Sequence, residues 1–157
     1  MTGVIPAQFL VEEPVASKSV MKRLEAQCEY LFVYGILKRG FILDLTYRAE
    51  FIGEARLPGA ILYRIGSGVG LRFTEDLTKQ AYGEVFKIPQ KLWEWLDSIE
   101  WNGINYTRKV VWAELTGKRE LAGDWGNVRT WVYEHTAKGM VYNSPIEDGV
   151  YRGLIRV

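Results

Sequence analysis

YLFVYGILKRG, residues 30–40, opens as an unbroken apolar run and breaks at Gly35. Five residues without a polar face are what a strand buried on both sides requires. The break has two readings. Gly35 makes a simple turn, or it lets the backbone approach a ligand closely and adopt a positive φ. Lys38 and Arg39 follow. Their simpler reading is a pair of solvated side chains, and the other is attraction for a ligand carboxylate.

Working outward from this strand, short segments rich in β-branched and aromatic residues recur. EFIGEARL (50–57) and GAILYRI (59–65) are separated by the turn dipeptide Pro58-Gly59. GSGVG (66–70) leads into LRF, and AYGEVFKI (81–88), TRKVVWAEL (107–115) and VRTWVYEH (128–135) complete the set. Five to seven short strands with few helices predict an α+β fold. Its core is a small twisted sheet or partly closed barrel, mainly antiparallel, with one or two packed helices.

One helix is expected within this region, over PQKLWEWLDSIE (89–100), with Pro89 at the first helical position. Leu92, Leu96 and Ile99 recur at helical spacing and form its buried stripe. Trp93, Asp97 and Glu100 share the adjoining face, and Asn102-Gly103 ends the helix. Asp97 and Glu100 therefore sit near the negative end of the helix dipole, beside Ile99 and Trp101. A solvated helix end is the bland account of such a pair. The unfavourable placement also raises a carboxyl pKa, which is what a general base near neutral pH needs.

The bulk properties bound the rest. A chain of 157 residues with 48% apolar content can bury one ordinary core. Residues 29–157 are read as a single domain. Residues 1–28, interrupted by Pro6 and Pro14, form an extension with a short helix over SKSVMKRLEAQ (17–27). Twenty basic and 19 acidic residues leave a net charge of +1, which gives no electrostatic basis for nucleic acid or an anionic membrane as partner. With one cysteine, Cys28, and one histidine, His135, neither an intrachain disulfide nor a zinc site is expected. A half-buried cysteine and an ordinary strand histidine are the expected roles. No apolar stretch approaches membrane-spanning length and no secretory signal is evident, so a cytoplasmic protein is expected.

Three segments together resemble the γ-glutamylcyclotransferase-like family, including its AIG2-like members. FVYGILKRG is similar to the family's strand and Tyr-Gly-x-Leu loop. YGEVFKIPQKLWEWLDSIE, with NYTRKVV behind it, resembles the strand, helix and Leu-Asp-x-x-Glu segment followed by a tyrosine and a basic strand. NSPIEDGVYRG is similar to the Ile-x-x-Gly-Asp-Trp ending. The resemblance spans residues 29–153 and implies the family's fold, with no cofactor. It also implies an enzyme that converts a small γ-glutamyl amine or γ-glutamyl amino acid into 5-oxoproline and the free amine. Glu100 would be the general acid/base. The backbone of Tyr34, Gly35, Ile36 and Leu37 would cradle the substrate and its oxyanion, and Tyr106 would hydrogen-bond substrate or else be a buried, satisfied tyrosine. Two departures stand out: Trp101 follows Glu100 where many members have glycine, and the polar residue of the C-terminal motif is displaced to Asp148-Gly149-Val150-Tyr151. They motivate the alternative, a non-catalytic ligand-binding or regulatory module on the same fold.

Overall fold

The computed structural model describes residues 28–116 and 126–153; the helix expected over residues 17–27 lies outside them. The strands are β1 (Tyr30–Val33), β2 (Glu50–Pro58), β3 (Ala60–Ile65), β4 (Gly68–Phe73), β5 (Gln80–Lys87), β6 (Tyr106–Leu115) and β7 (Asn127–His135). They bond in the order β1-β5-β2-β6-β7-β4-β3, and β1 also pairs with β7. Five strands thus close into a ring, β1-β5-β2-β6-β7, and the β3–β4 hairpin extends it. The ring is antiparallel except at the β1–β7 seam, so the barrel is mixed.

That seam is forked. On the side away from β6, β7 pairs in parallel with β1 at Leu31↔Trp131 and then with β4 at Leu71↔Glu134. Between these pairings β1 has left the ladder and β4 has not yet taken its place.

The unbroken apolar face of β1 now has its explanation. Phe32 belongs to the cluster inside the ring, with Leu57, Val85, Val111, Val132 and the small residues Ala55, Ala81 and Ala113. Leu31 and Val33 point the other way, into a second cluster with Leu45, Phe86, Trp93, Leu96 and Trp131. Full burial of a side chain of this kind stabilises by roughly 1.5–3 kcal/mol, so both faces of β1 contribute.

The second cluster is covered by the helix, which is shorter than expected. Ile88 still donates its N–H to Glu29 O at 2.7 Å, so the chain stays in the ladder until Pro89. Pro89 is therefore extended (φ −61°, ψ 141°) and caps a 3-10 turn, Gln90–Leu92, ahead of helix α1 (Trp93–Ile99). Trp93 and Leu96 are its buried residues, while Leu92 and Ile99 pack at the margin. The buried stripe is rotated toward Trp93, which meets Trp131 edge-to-face at 6.2 Å.

The helix also ends two residues earlier than Asn102-Gly103. Trp101 donates its N–H to Ser98 O at 3.3 Å and Asn102 to Asp97 O at 3.0 Å, with Trp101 at φ 50°. This is a Schellman ending, in which the left-handed position usually belongs to glycine. Here Trp101 occupies it, and Glu100 is the capping residue.

The C-terminal segment runs beside β3: Arg64 N–H donates to Ser144 O and Ile146 N–H to Leu62 O, both at 2.8 Å. Cys28 is buried rather than half-buried, with its Sγ 3.5 Å from Arg129 O. No helix among the described residues is long and apolar enough to cross a membrane.

Candidate active site

A cavity of about 120 Å³ opens at the fork of the seam. It brings together every site residue expected from the sequence: Tyr34, Gly35, Ile36 and Leu37 from the chain leaving β1, Glu100 from the end of α1, and Tyr106 from the start of β6. It also contains residues that sequence reasoning missed, chiefly Gly68 and Val69 of β4 and Tyr133 of β7. The glycine-rich run 66–70 was a visible signal for the first pair. Tyr133, one aromatic among several in a strand, carried none. A larger groove of about 420 Å³ lies between β3, β5 and residues 145–148, and holds none of the expected residues.

The loop is shaped by its exit from the ladder. The carbonyls of Gly35, Ile36 and Leu37 accept from Lys38, Leu43 and Leu45 at 3.0, 2.9 and 3.1 Å. Their three N–H groups donate to no carbonyl among the described residues. Asp44 holds the far end, accepting from Gly40 N and Thr46 N, both at 2.8 Å. Gly35 does not use a positive φ. Its need is space, because an added Cβ would lie 2.8 Å from Val69 Cγ1 on the opposite wall.

Of the basic pair, Arg39 is exposed and Lys38 is not solvated as expected. Lys38 is buried, with Nζ donating to Tyr151 O at 2.9 Å, and burial lowers its pKa. Arg39 donates its backbone N–H and its Nε to Glu84 at 2.9 and 3.2 Å, and its guanidinium lies 3.7 Å from the centre of the Phe51 ring. Both side chains anchor the loop from behind, and neither lines the cavity. The C-terminal segment likewise contributes no lining residue; it braces the loop through Tyr151 and Lys38.

Glu100 and Asp97, one helical turn apart, have different surroundings. Asp97 accepts the Tyr133 hydroxyl at 2.6 Å and Arg108 Nη2 at 3.1 Å, and Arg108 Nε lies 3.0 Å away. The guanidinium sits 4.4 and 4.1 Å from the Trp93 and Trp131 ring centres. The Glu100 carboxyl has no hydrogen bond or ion pair among the described residues. Burial alone lifts it from an ordinary 4.5 to about 7. A proton can therefore be taken up and released there near neutrality. Trp101, 59% exposed, lies outside the wall and does not narrow the cavity.

Three tyrosines complete the wall, and each donates its proton to the protein. Tyr106 donates to Val69 O at 2.8 Å, Tyr34 to Tyr133 O at 2.6 Å and Tyr133 to Asp97. The Tyr34 hydroxyl supplies Tyr133 O with a donor at the fork itself. Burial, with a contribution from the Glu100 charge, pushes all three phenols upward, so they are neutral at pH 7.

Comparison with known proteins agrees with this architecture. The family model described as gamma-glutamyl cyclotransferase, AIG2-like, matches residues 31–153. Among solved structures, an AIG2-like protein from Mus musculus has a TM-score of 0.58 at 20% identity, covering 79% of this chain and 88% of that one. An uncharacterized protein from Pyrococcus horikoshii has 0.55 at 21%, covering 77% and 87%. A gamma-glutamyl cyclotransferase has 0.53 at 18%, covering 74% and 69%. At these identities the likeness carries the fold. No curated protein sequence matches the chain.

Proposed function

The chain belongs to the gamma-glutamyl cyclotransferase, AIG2-like family, and from that premise we propose that it converts a small γ-glutamyl amine or γ-glutamyl amino acid into 5-oxoproline and the free amine. One observation carries this reading. A half-buried carboxyl with no partner among the described residues, titrating near 7, shares a small cavity with the loop residues Gly35, Ile36 and Leu37. Their N–H groups donate to no carbonyl among the described residues.

The reaction needs no group beyond these. Glu100 takes a proton from the substrate's α-ammonium, and the freed amine nitrogen attacks the γ-carbonyl carbon. The ring C–N bond forms, and the carbonyl oxygen becomes an oxyanion that accepts from the N–H groups of Gly35, Ile36 and Leu37. Donors held ready at that position lower the barrier by amounts on the order of 3 kcal/mol each. The oxyanion then collapses and the original amide C–N bond breaks as Glu100 returns its proton to the departing amine. The ring nitrogen's second proton passes through the same carboxylate to that amine, which leaves as an ammonium. No water is consumed, and the only base required is Glu100. Enclosure by Phe32, Val69 and the three tyrosines keeps the carboxyl partly desolvated.

Incubation with a panel of γ-glutamyl amines and γ-glutamyl amino acids is expected to release 5-oxoproline. Glu100→Gln should reduce that release at least a thousandfold with an unchanged circular dichroism spectrum. Equal activity in the variant would sink the assignment. Binding of a γ-glutamyl compound by the unaltered protein with no product would support the ligand-binding module instead. A cavity clear of Trp101 and a carboxyl sharing it with the loop favour turnover.

A further inference from the structure

Two kinds of group line the cavity. The loop offers backbone N–H groups without partners among the described residues. The phenol protons of Tyr34, Tyr106 and Tyr133 are already donated to Tyr133 O, Val69 O and Asp97. A hydroxyl whose proton is committed can offer a ligand only its oxygen lone pairs. These phenols therefore suit a donor, and a cation best of all.

Tyr133 differs from the other two. Tyr34 and Tyr106 donate to neutral carbonyls, whereas Tyr133 donates to a carboxylate at 2.6 Å, a short, charge-assisted contact. That partner is held in place by Arg108, itself lodged against Trp93 and Trp131. A phenol that donates to an anion carries more negative charge on its oxygen, because successive hydrogen bonds polarise one another. Tyr133 also sits where β7 changes partner from β1 to β4, and it is among the residues lining the cavity while packing in the second cluster with Val33, Leu37 and Trp93.

We infer that Tyr133 recognises the α-ammonium of the substrate, accepting a hydrogen bond on an oxygen whose proton Asp97 holds, with Asp97 and Arg108 as positioning residues. This rests on the cyclotransferase reading and adds a direction to it. The ammonium lies between Glu100 and the Tyr133 oxygen, and the γ-carbonyl points to the loop. A γ-glutamyl compound whose α-nitrogen is acylated offers no cation and is not held. A hydrogen bond to a charged group is the kind whose loss is read as a change of tenfold or more in binding.

The test uses γ-glutamyl-butylamine as substrate and 5-oxoproline release as readout. Tyr133→Phe is expected to raise KM about tenfold and to change kcat by less than threefold. Asp97→Asn keeps an acceptor for the phenol but removes the charge, so its KM should rise about threefold. The double variant should be no worse in KM than Tyr133→Phe alone, because Asp97 acts through the Tyr133 oxygen. An unchanged KM in Tyr133→Phe, or independent multiplication of the two effects, overturns the inference while leaving the reaction intact. If Tyr133→Phe does not fold, Asp97→Asn decides: an unchanged KM overturns the inference and a threefold rise supports it. If the unaltered protein releases no 5-oxoproline from any γ-glutamyl compound, the cyclotransferase reading falls and takes this inference with it.

Discussion

A carboxyl that titrates near 7 serves as a base only when it is ionised, which gives Glu100 a definite signature. Under the proposed function, kcat/KM should climb tenfold per pH unit below about 7 and level off above it. A profile flat from pH 5 to 8 would remove Glu100 from the role. The same shift acts on stability. Burial raises the folded pKa above the unfolded 4.5, so the proton favours the fold. That contribution is fully present below pH 4.5 and is lost as pH rises through 7. Glu100→Gln, which cannot ionise, should therefore gain on the unaltered protein between pH 5 and 8, by up to about 3 kcal/mol in urea unfolding. At this scale the sequence was legible where spacing decides the matter: helical periodicity placed Glu100 beside the apolar stripe. It misled at Lys38, whose burial depends on Tyr151, 113 residues away. No local pattern reports such a partner. Tyr133 was silent for a similar reason, since its role comes from the change of strand partner beside it.

At the scale of elements, the ending of α1 sets where Glu100 stands. The Schellman bonds from Trp101 and Asn102 close the last turn with Glu100 as its cap, at the expense of a left-handed tryptophan. A side chain in that conformation costs about 1–2 kcal/mol, and glycine's greater freedom in the unfolded chain returns part of it. Trp101→Gly should accordingly stabilise the protein by about 0.5–1 kcal/mol, measured by urea denaturation. Because the indole is largely exposed, little packing is lost. A destabilised variant would mean that the indole makes contacts worth more than the strain. The strands were read almost to the residue, since β-branched and aromatic runs between turn signals leave few alternatives. The start of α1 was not. Proline favours both the first helical position and the cap, and only the ladder bond from Ile88 to Glu29 O decides between them.

Over the whole molecule, the barrel and α1 are joined by a clasp in which Trp93, Asp97, Arg108, Trp131 and Tyr133 come from three elements. Arg108→Leu would leave Asp97 partly buried without its cation. It should cost about 2–3 kcal/mol in thermal or urea unfolding, somewhat less than for a fully buried pair because both side chains retain some solvent. A loss below 0.5 kcal/mol would show the clasp to be incidental. A mainly antiparallel twisted sheet or partly closed barrel could be anticipated from the number and shortness of the strands, but its full closure through the β1–β7 pairing could not. The fork in its seam could not, because parallel pairing between β7 and two distant strands leaves no trace in local sequence. The segment beside β3 has one more consequence. With five strands closed into a ring, the β3–β4 hairpin ends the sheet at β3, an edge where backbone groups would stand unpaired. The bonds from Arg64 to Ser144 and from Ile146 to Leu62 occupy that rim with the protein's own chain. A strand from a neighbouring copy therefore finds few free partners there, so the tail that braces the loop also guards the molecule against edge-to-edge aggregation.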